Sequence, residues 1–183
     1  MRAKNYFVIS LLLLAIPGLA QTYEIQKLKE TIASQADDSL KVNNLILLSN
    51  QYLGEDPKEA VRYGIEAQQL ANKIHYKGEA YAYKAIGLGY YYLSDNRNAA
   101  IQFQNSLRLF DSLGYKTGIA NILSNLGSTY FNAGEGTKAI DFHLRSLKIG
   151  EELNDSLRIG TALNGVGSVY NNKDETRDKA LEY

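Results

Sequence analysis

The 183-residue chain has no cysteine, no tryptophan, one methionine and two prolines. Without cysteine, disulfides and thiolate metal sites are excluded, and the redox compartment cannot be read from thiols. Charge of one sign is also missing, because 20 Lys and Arg balance 20 Asp and Glu. No stretch interleaves basic and aromatic residues as a nucleic-acid footprint does, so a phosphate backbone is not the expected partner. Nor do candidate catalytic groups converge. There is no His–Glu zinc pairing, no Gly-x-Ser-x-Gly elbow and no phosphate loop. Gly165-Val166-Gly167 has the look of a nucleotide motif but stands inside a repeat helix with no strand before it. His75 lies near a helix end, and His143 takes the slot that Phe103 holds 40 residues earlier, so both read as packing or surface residues. No enzyme, cofactor or metal is expected.

What is present is a repeat. Gly87 and Tyr90 recur as Gly127 and Tyr130, then as Gly167 and Tyr170, at a spacing of 40. Ala80, Ala120 and Gly160 keep the same register, as do Ile86, Leu126 and Val166, and Ser106-Leu107 with Ser146-Leu147. Self-similarity at a period of about 20–50 residues means stacked supersecondary units, each too small to bury its own apolar face. With 45% hydrophobic residues and 14 tyrosines, the chain has ample material for such a core.

The N-terminus stands apart from the repeat. Arg2 and Lys4 precede an apolar run from Phe7 to Ile16, and Gly18-Leu19-Ala20 supplies small residues before Gln21. This pattern predicts a secretory signal peptide over residues 1–20, cleaved after Ala20, with an uncleaved anchor as the alternative. The run is short of the roughly 20 residues that span a bilayer as a helix, and no later segment could span one. Cleavage removes two basic residues and no acidic one, leaving a net charge of about −2. The mature chain is therefore expected to be exported, periplasmic or secreted.

Each 40-residue unit reads as two helices. First helices are predicted at about 77–93 and 117–133, ending at Ser94-Asp95-Asn96 and Gly134-Glu135-Gly136. Second helices follow at about 97–113 and 137–153. Ala99, Phe103, Ser106, Leu107 and Phe110 lie on one face of a 3.6-residue period. Asp56-Pro57 is a further helix start, with an N-capping carboxylate before a proline suited to the first helical position. The units are expected at about 38–76, 77–115, 116–155 and 156–183, behind a capping helix or linker over 21–37 with its helix at about 23–34. The first unit is irregular, with Ser49 and Tyr52 in the glycine and tyrosine slots. The last stops at Tyr183 when its second helix, at Lys179-Ala180-Leu181, has barely begun, so the chain is expected to be truncated or a fragment.

Glycine inside a helix costs about 1 kcal/mol relative to alanine, so three in register imply a compensating contact. Each glycine is expected where its own second helix crosses closest, against Ala99, Ala139 and Ala180, with Ala60 in the first unit. Tyr90, Tyr130 and Tyr170 follow on the same face and are expected to pack between neighbouring units.

These residues resemble the tetratricopeptide repeat family. Leu126-Gly127-Ser128-Thr129-Tyr130, then Ala139, then Ser146-Leu147, match its Leu-Gly-x-x-Tyr, Ala and Ala-Leu landmarks, and the resemblance covers about residues 38–183. Departures are the length of 40 instead of 34, Tyr83, Leu123 and Leu163 where tryptophan is usual, and no proline closing each unit. The longer unit is similar to those of kinesin light chain and of bacterial peptide-sensing regulators. HEAT-type repeats share the period and lack the landmarks. The resemblance implies an all-α, right-handed superhelical solenoid of antiparallel helix pairs.

Residues at offsets of −6, −3, +1 and +4 from each glycine face away from the packed side. They are Tyr81, Lys84, Leu88 and Tyr91, then Asn121, Ser124, Ser128 and Phe131, then Thr161, Asn164, Ser168 and Asn171. Stacking aligns them into a strip, which in the family lines a concave groove, so the resemblance implies a peptide or protein ligand there. Asparagine both donates and accepts, tyrosine offers stiff contact area with a polar tip, and an idle helix face would favour Glu and Lys. Two functions follow: an exported scaffold or adaptor, or the extracytoplasmic sensory region of a longer signalling protein whose histidine kinase, cyclase or DNA-binding module lies elsewhere. Ligand identity and oligomeric state stay open.

Overall fold

The computed structural model describes residues 17–171, with side chains from Thr22 onward. The apolar run Phe7–Ile16 and the fourth unit's second helix near Lys179-Ala180-Leu181 lie outside the described residues. Among these residues there are eight helices and no strand: α1 (Pro17–Ser34), α2 (Ser39–Gln51), α3 (Pro57–Lys73), α4 (Glu79–Tyr92), α5 (Asn96–Ser112), α6 (Lys116–Asn132), α7 (Gly136–Glu152) and α8 (Ser156–Asn171). Each packs on its neighbour in sequence, and α2 also meets α4 as α6 meets α8. That is the all-α solenoid of helix pairs that the period of 40 implies.

Local chemistry sets the helix boundaries. Asp38, Asp56, Asp95 and Asp155 each accept a hydrogen bond from a backbone N–H in the turn that follows, at 2.9–3.4 Å. Five helices then close in one way. After α3, α4, α5, α6 and α7 the second residue past the helix turns left-handed, at His75, Ser94, Gly114, Gly134 and Asn154. The N–H of the following residue bonds back five positions, from Tyr76 to Ala71, Asp95 to Tyr90, Tyr115 to Phe110, Glu135 to Tyr130 and Asp155 to Gly150, at 2.8–3.0 Å. This 6→1 closure satisfies otherwise free helix-end carbonyls and reverses the chain within a few residues.

Within a unit, the helices are fastened by a buried serine. Ser106 donates to the Ala80 carbonyl at 2.7 Å, and 40 residues on Ser146 donates to Ala120 at 2.8 Å. A side chain at position 80 or 120 larger than alanine would hold that carbonyl away from the serine, which explains why both positions stay small. In the first unit the direction reverses, and Ser49, in the glycine slot of α2, donates to the Ala60 carbonyl of α3 at 2.7 Å.

The glycines do make close contacts, although not the ones expected. A Cβ on Gly87 would stand 2.6 Å from the Phe103 ring, and one on Gly127 would stand 2.6 Å from the His143 ring. Ala99 and Ala139 are fully buried, but the gap left by each glycine is filled by the ring one helical turn further along the second helix. An aromatic plane fills more volume at the crossing than a methyl group does, so the ring and not the alanine dictates glycine. Tyr130 stacks on Phe142 of its own unit at 5.3 Å and 3°, and Gln104 of the preceding unit reaches its hydroxyl at 3.5 Å.

At the N-terminal end α1 begins at Pro17, six residues before the expected Tyr23, because proline is tolerated in the first turn. The expected cleavage point after Ala20 therefore falls inside this helix. Ile25, Leu28 and Ile32 of α1 join Val42, Leu45, Leu48, Tyr63 and Leu70 in one core cluster over the first unit. A second cluster, around Ala99, Phe103, Phe110, Ile122 and Leu126, joins the second and third units.

Candidate binding groove

The strip residues lie on α4, α6 and α8, the first helices of successive units. Seven of the twelve line two adjoining depressions. Leu88, Tyr91 and Ser128, with Phe103 and Asn125, surround one of about 100 Å³. Lys84, Asn121, Ser124 and Thr161, with Asn125, Leu157 and Arg158, surround the other, of about 230 Å³. Asn125 belongs to both.

The remaining five are placed elsewhere. Tyr81 packs edge-on against Phe110 at 4.9 Å and leans on Tyr115 at 6.4 Å, where α4 meets the start of α6. Although Tyr81 is 42% exposed, partial loss of hydration, together with the hydrogen bond to Tyr115, pushes its pKa up to about 12. Phe131 is half-buried, whereas Asn164, Ser168 and Asn171 are exposed on α8. Hydroxyl groups of the strip are partly occupied: Thr161 donates to the Leu157 carbonyl at 2.8 Å, Ser168 to the Asn164 carbonyl at 2.7 Å, and Ser124 meets Ser146 at 2.9 Å.

Electrostatics separate the two depressions. The smaller has apolar and aromatic walls with one amide, of Asn125, and two hydroxyls, of Ser128 and Tyr91. The larger holds two cations and no carboxylate in its lining. Burial and the positive charge of Arg158 both press Lys84 below its ordinary pKa, and no acidic group offsets them. Arg158 is anchored from outside the lining by Asp155, which caps α8 through the Arg158 N–H at 3.1 Å and also binds its guanidinium. The backbone bond and the Arg158 charge hold the Asp155 carboxyl below its usual range. The Nε of Arg158 and the Nδ2 of Asn125 are buried without a hydrogen-bond partner.

Asn125, Leu157, Arg158 and Phe103 were not among the residues singled out by the strip. Asn125 sits two positions before Gly127, between the strip and the packed face. Arg158 sits nine before Gly167, beyond the offsets that repeat. Its one local signal is the spacing Asp155-x-x-Arg158 at the start of a helix, which directs the guanidinium back toward the cap.

His143 is not part of the groove. Its ring lies between Gly127 of α6 and Gly165 of α8, where added Cβ atoms would stand 2.6 and 2.4 Å away. It is 3% exposed, its Nδ1 has no partner, and burial pushes its pKa down. Among the described residues no group of His, Cys, Asp and Glu is arranged to hold a metal ion, and no helix is long and apolar enough to cross a membrane.

No protein-family model matches the chain, and no curated protein matches it by sequence. Solved structures do match by shape. A signal-transduction ATPase of Pyrococcus horikoshii with a tetratricopeptide repeat sensor aligns over 91% of this chain and 26% of its own, with a TM-score of 0.77 and 18% identity. A Rap protein complexed with competence and sporulation factor aligns over 91% and 48%, with a TM-score of 0.77 and 17% identity. Kinesin-light-chain-type tetratricopeptide-like repeats of Podosopora anserina align over 91% and 85%, with a TM-score of 0.73 and 11% identity. The fold is thus that of the tetratricopeptide repeat solenoids. The chain spans about a quarter of the first of these structures and about half of the second.

Proposed function

We propose that this chain is a polypeptide-binding array whose ligand lies along the first helices, over α4, α6 and α8. The observation that carries the reading is the pair of adjoining depressions sharing Asn125, one apolar and one polar, which together span three successive units. Small-molecule sites are enclosed, whereas these are shallow and run on from one to the next, as suits an extended chain with alternating anchors. The Rap neighbour, solved in complex with competence and sporulation factor, supports a binding role for such an array. Binding, and not catalysis, is the role proposed for this segment.

The array is further proposed to work outside the cytoplasm, on the strength of Arg2, Lys4 and the apolar run that follows. A sensory role in a larger signalling protein is the second reading, supported by the tetratricopeptide sensor of the Pyrococcus ATPase. The binding reading is tested by placing a photo-crosslinking amino acid at Leu88 or Ser128 and, as controls, at Arg108 or Arg145 on the second helices. Mass spectrometry should find a polypeptide joined at the first pair and none at the second. Equal crosslinking at all four positions would remove the groove from consideration.

A further inference from the structure

We infer that His143 is an acid-sensitive latch for α8: a proton taken up by its ring frees α8 from the array while α6 and α7 stay joined. The inference concerns how the array comes apart and holds whatever the groove binds.

Three features carry it. First, the ring is clamped between two helices. Cβ atoms added to Gly127 of α6 and Gly165 of α8 would both stand within 2.6 Å of it, so water reaches the ring freely only when one helix moves.

Second, the buried ring has nothing to hold a proton. Its Nδ1 lacks a hydrogen-bond partner, whereas an imidazolium needs an acceptor for each of its two N–H groups. The titratable groups on the packed helices are Lys116 and Tyr130 on α6, and Arg158 and Tyr170 on α8. On its own helix, Lys138, Asp141, Arg145, Lys148, Glu151 and Glu152 stand at exposed positions. None of them acts on the imidazole, and burial alone presses its pKa down.

Third, the helices on either side of the ring are held unequally. α7, which carries His143, is tied to α6 by the buried bond from Ser146 to the Ala120 carbonyl. The side chains of Arg158, Thr161 and Ser168 on α8 bond instead to Asp155 or within α8 itself. α6 buries Ile122, Leu123 and Leu126, against the smaller Ala162, Val166 and Val169 on α8. Segments with less buried apolar surface open first, so α8 is the side that yields.

With α8 open the imidazole regains its ordinary pKa of about 6.5, and with α8 closed it titrates lower. The closed form is therefore fully favoured above about pH 6.5 and loses ground as pH falls below it, by up to about tenfold in the opening equilibrium per pH unit. Because Leu157, Arg158 and Thr161 of α8 wall the larger depression, that depression opens in the same step.

Amide hydrogen exchange of the full chain at pH 7 and pH 5, corrected for intrinsic exchange rates, tests this. Protection of α8 should fall about tenfold or more, while that of α6 changes less than about twofold. H143F, which installs the ring used at Phe103, and H143Q should keep α8 protected across the range. H75N, which removes the chain's other histidine, should leave the fall intact. An equal fall in α6 would replace release of α8 by unfolding of the whole stack and overturn the latch. Constant protection of α8, or none at pH 7, would overturn it too. So would a fall that persists in H143F or H143Q, or one that vanishes in H75N, since either result assigns the proton to another group.

Discussion

The second and third units place the same element in the same gap and fill it differently. In the second, Gly87 faces the ring of Phe103; 40 residues later Gly127 faces the ring of His143, and Gly165 closes on that ring from α8. Phe103 is fully buried and apolar, whereas His143 is nearly as buried but keeps an unpartnered Nδ1. The geometry of the repeat therefore requires a flat ring of a certain size and is indifferent to its chemistry. Chemistry instead decides how each layer responds to its surroundings, since only the histidine layer can take up a proton.

The strongest way to break the comparison is to empty the phenylalanine layer. F103A should cost about 3–5 kcal/mol in chemical denaturation, because it leaves a cavity facing a glycine that cannot fill it. H143A should cost less, since it also removes a buried polar atom that nothing satisfies.

Converting one layer into the other comes next. H143F should stabilise the array by about 1 kcal/mol at neutral pH. The sign of the pH effect follows from the depressed imidazole. Below about pH 6.5 the unfolded chain binds a proton that folded His143 resists, so wild-type stability falls as pH drops from about 7 to 5. H143F should be flat over that window, as read from melting temperatures at successive pH values. The carboxylates held low by N–H groups and cations, such as Asp95 and Asp155, titrate below it and do not interfere. An unchanged slope in H143F would show that the histidine layer does not carry the pH response.

The smallest test sharpens the comparison at the helix ends. Ser94 after α4 and Gly134 after α6 occupy the same left-handed position, at φ 59° and 78°. A Cβ is crowded in that conformation by about 1–2 kcal/mol. S94G should therefore gain up to about 1 kcal/mol, and G134S should lose a similar amount.

The contrast also explains what was legible in the sequence. Helix pairs, their period and their caps were, because Asp56-Pro57, Ser94-Asp95 and Gly134-Glu135 act over a few residues of backbone. The glycines announced a close crossing for the same reason. What they touched was hidden, since choosing Phe103 over Ala99 depends on the offset between two helices, which no local rule supplies. The groove divides in the same way. Lys84, Asn121, Ser124 and Thr161 followed from the 40-residue register, whereas Arg158 depended on a cap that bends its side chain back across the unit boundary.

The serine links show how such an array would yield under load. Ser106 ties α5 to α4 and Ser146 ties α7 to α6 through a fully buried bond, while the joints between successive units combine side-chain packing with less buried bonds such as Gln68 to Glu79 and Gln104 to Tyr130. Pulling on the two ends would thus part the stack between hairpins before it opened any hairpin, shedding whole repeats in steps like vertebrae.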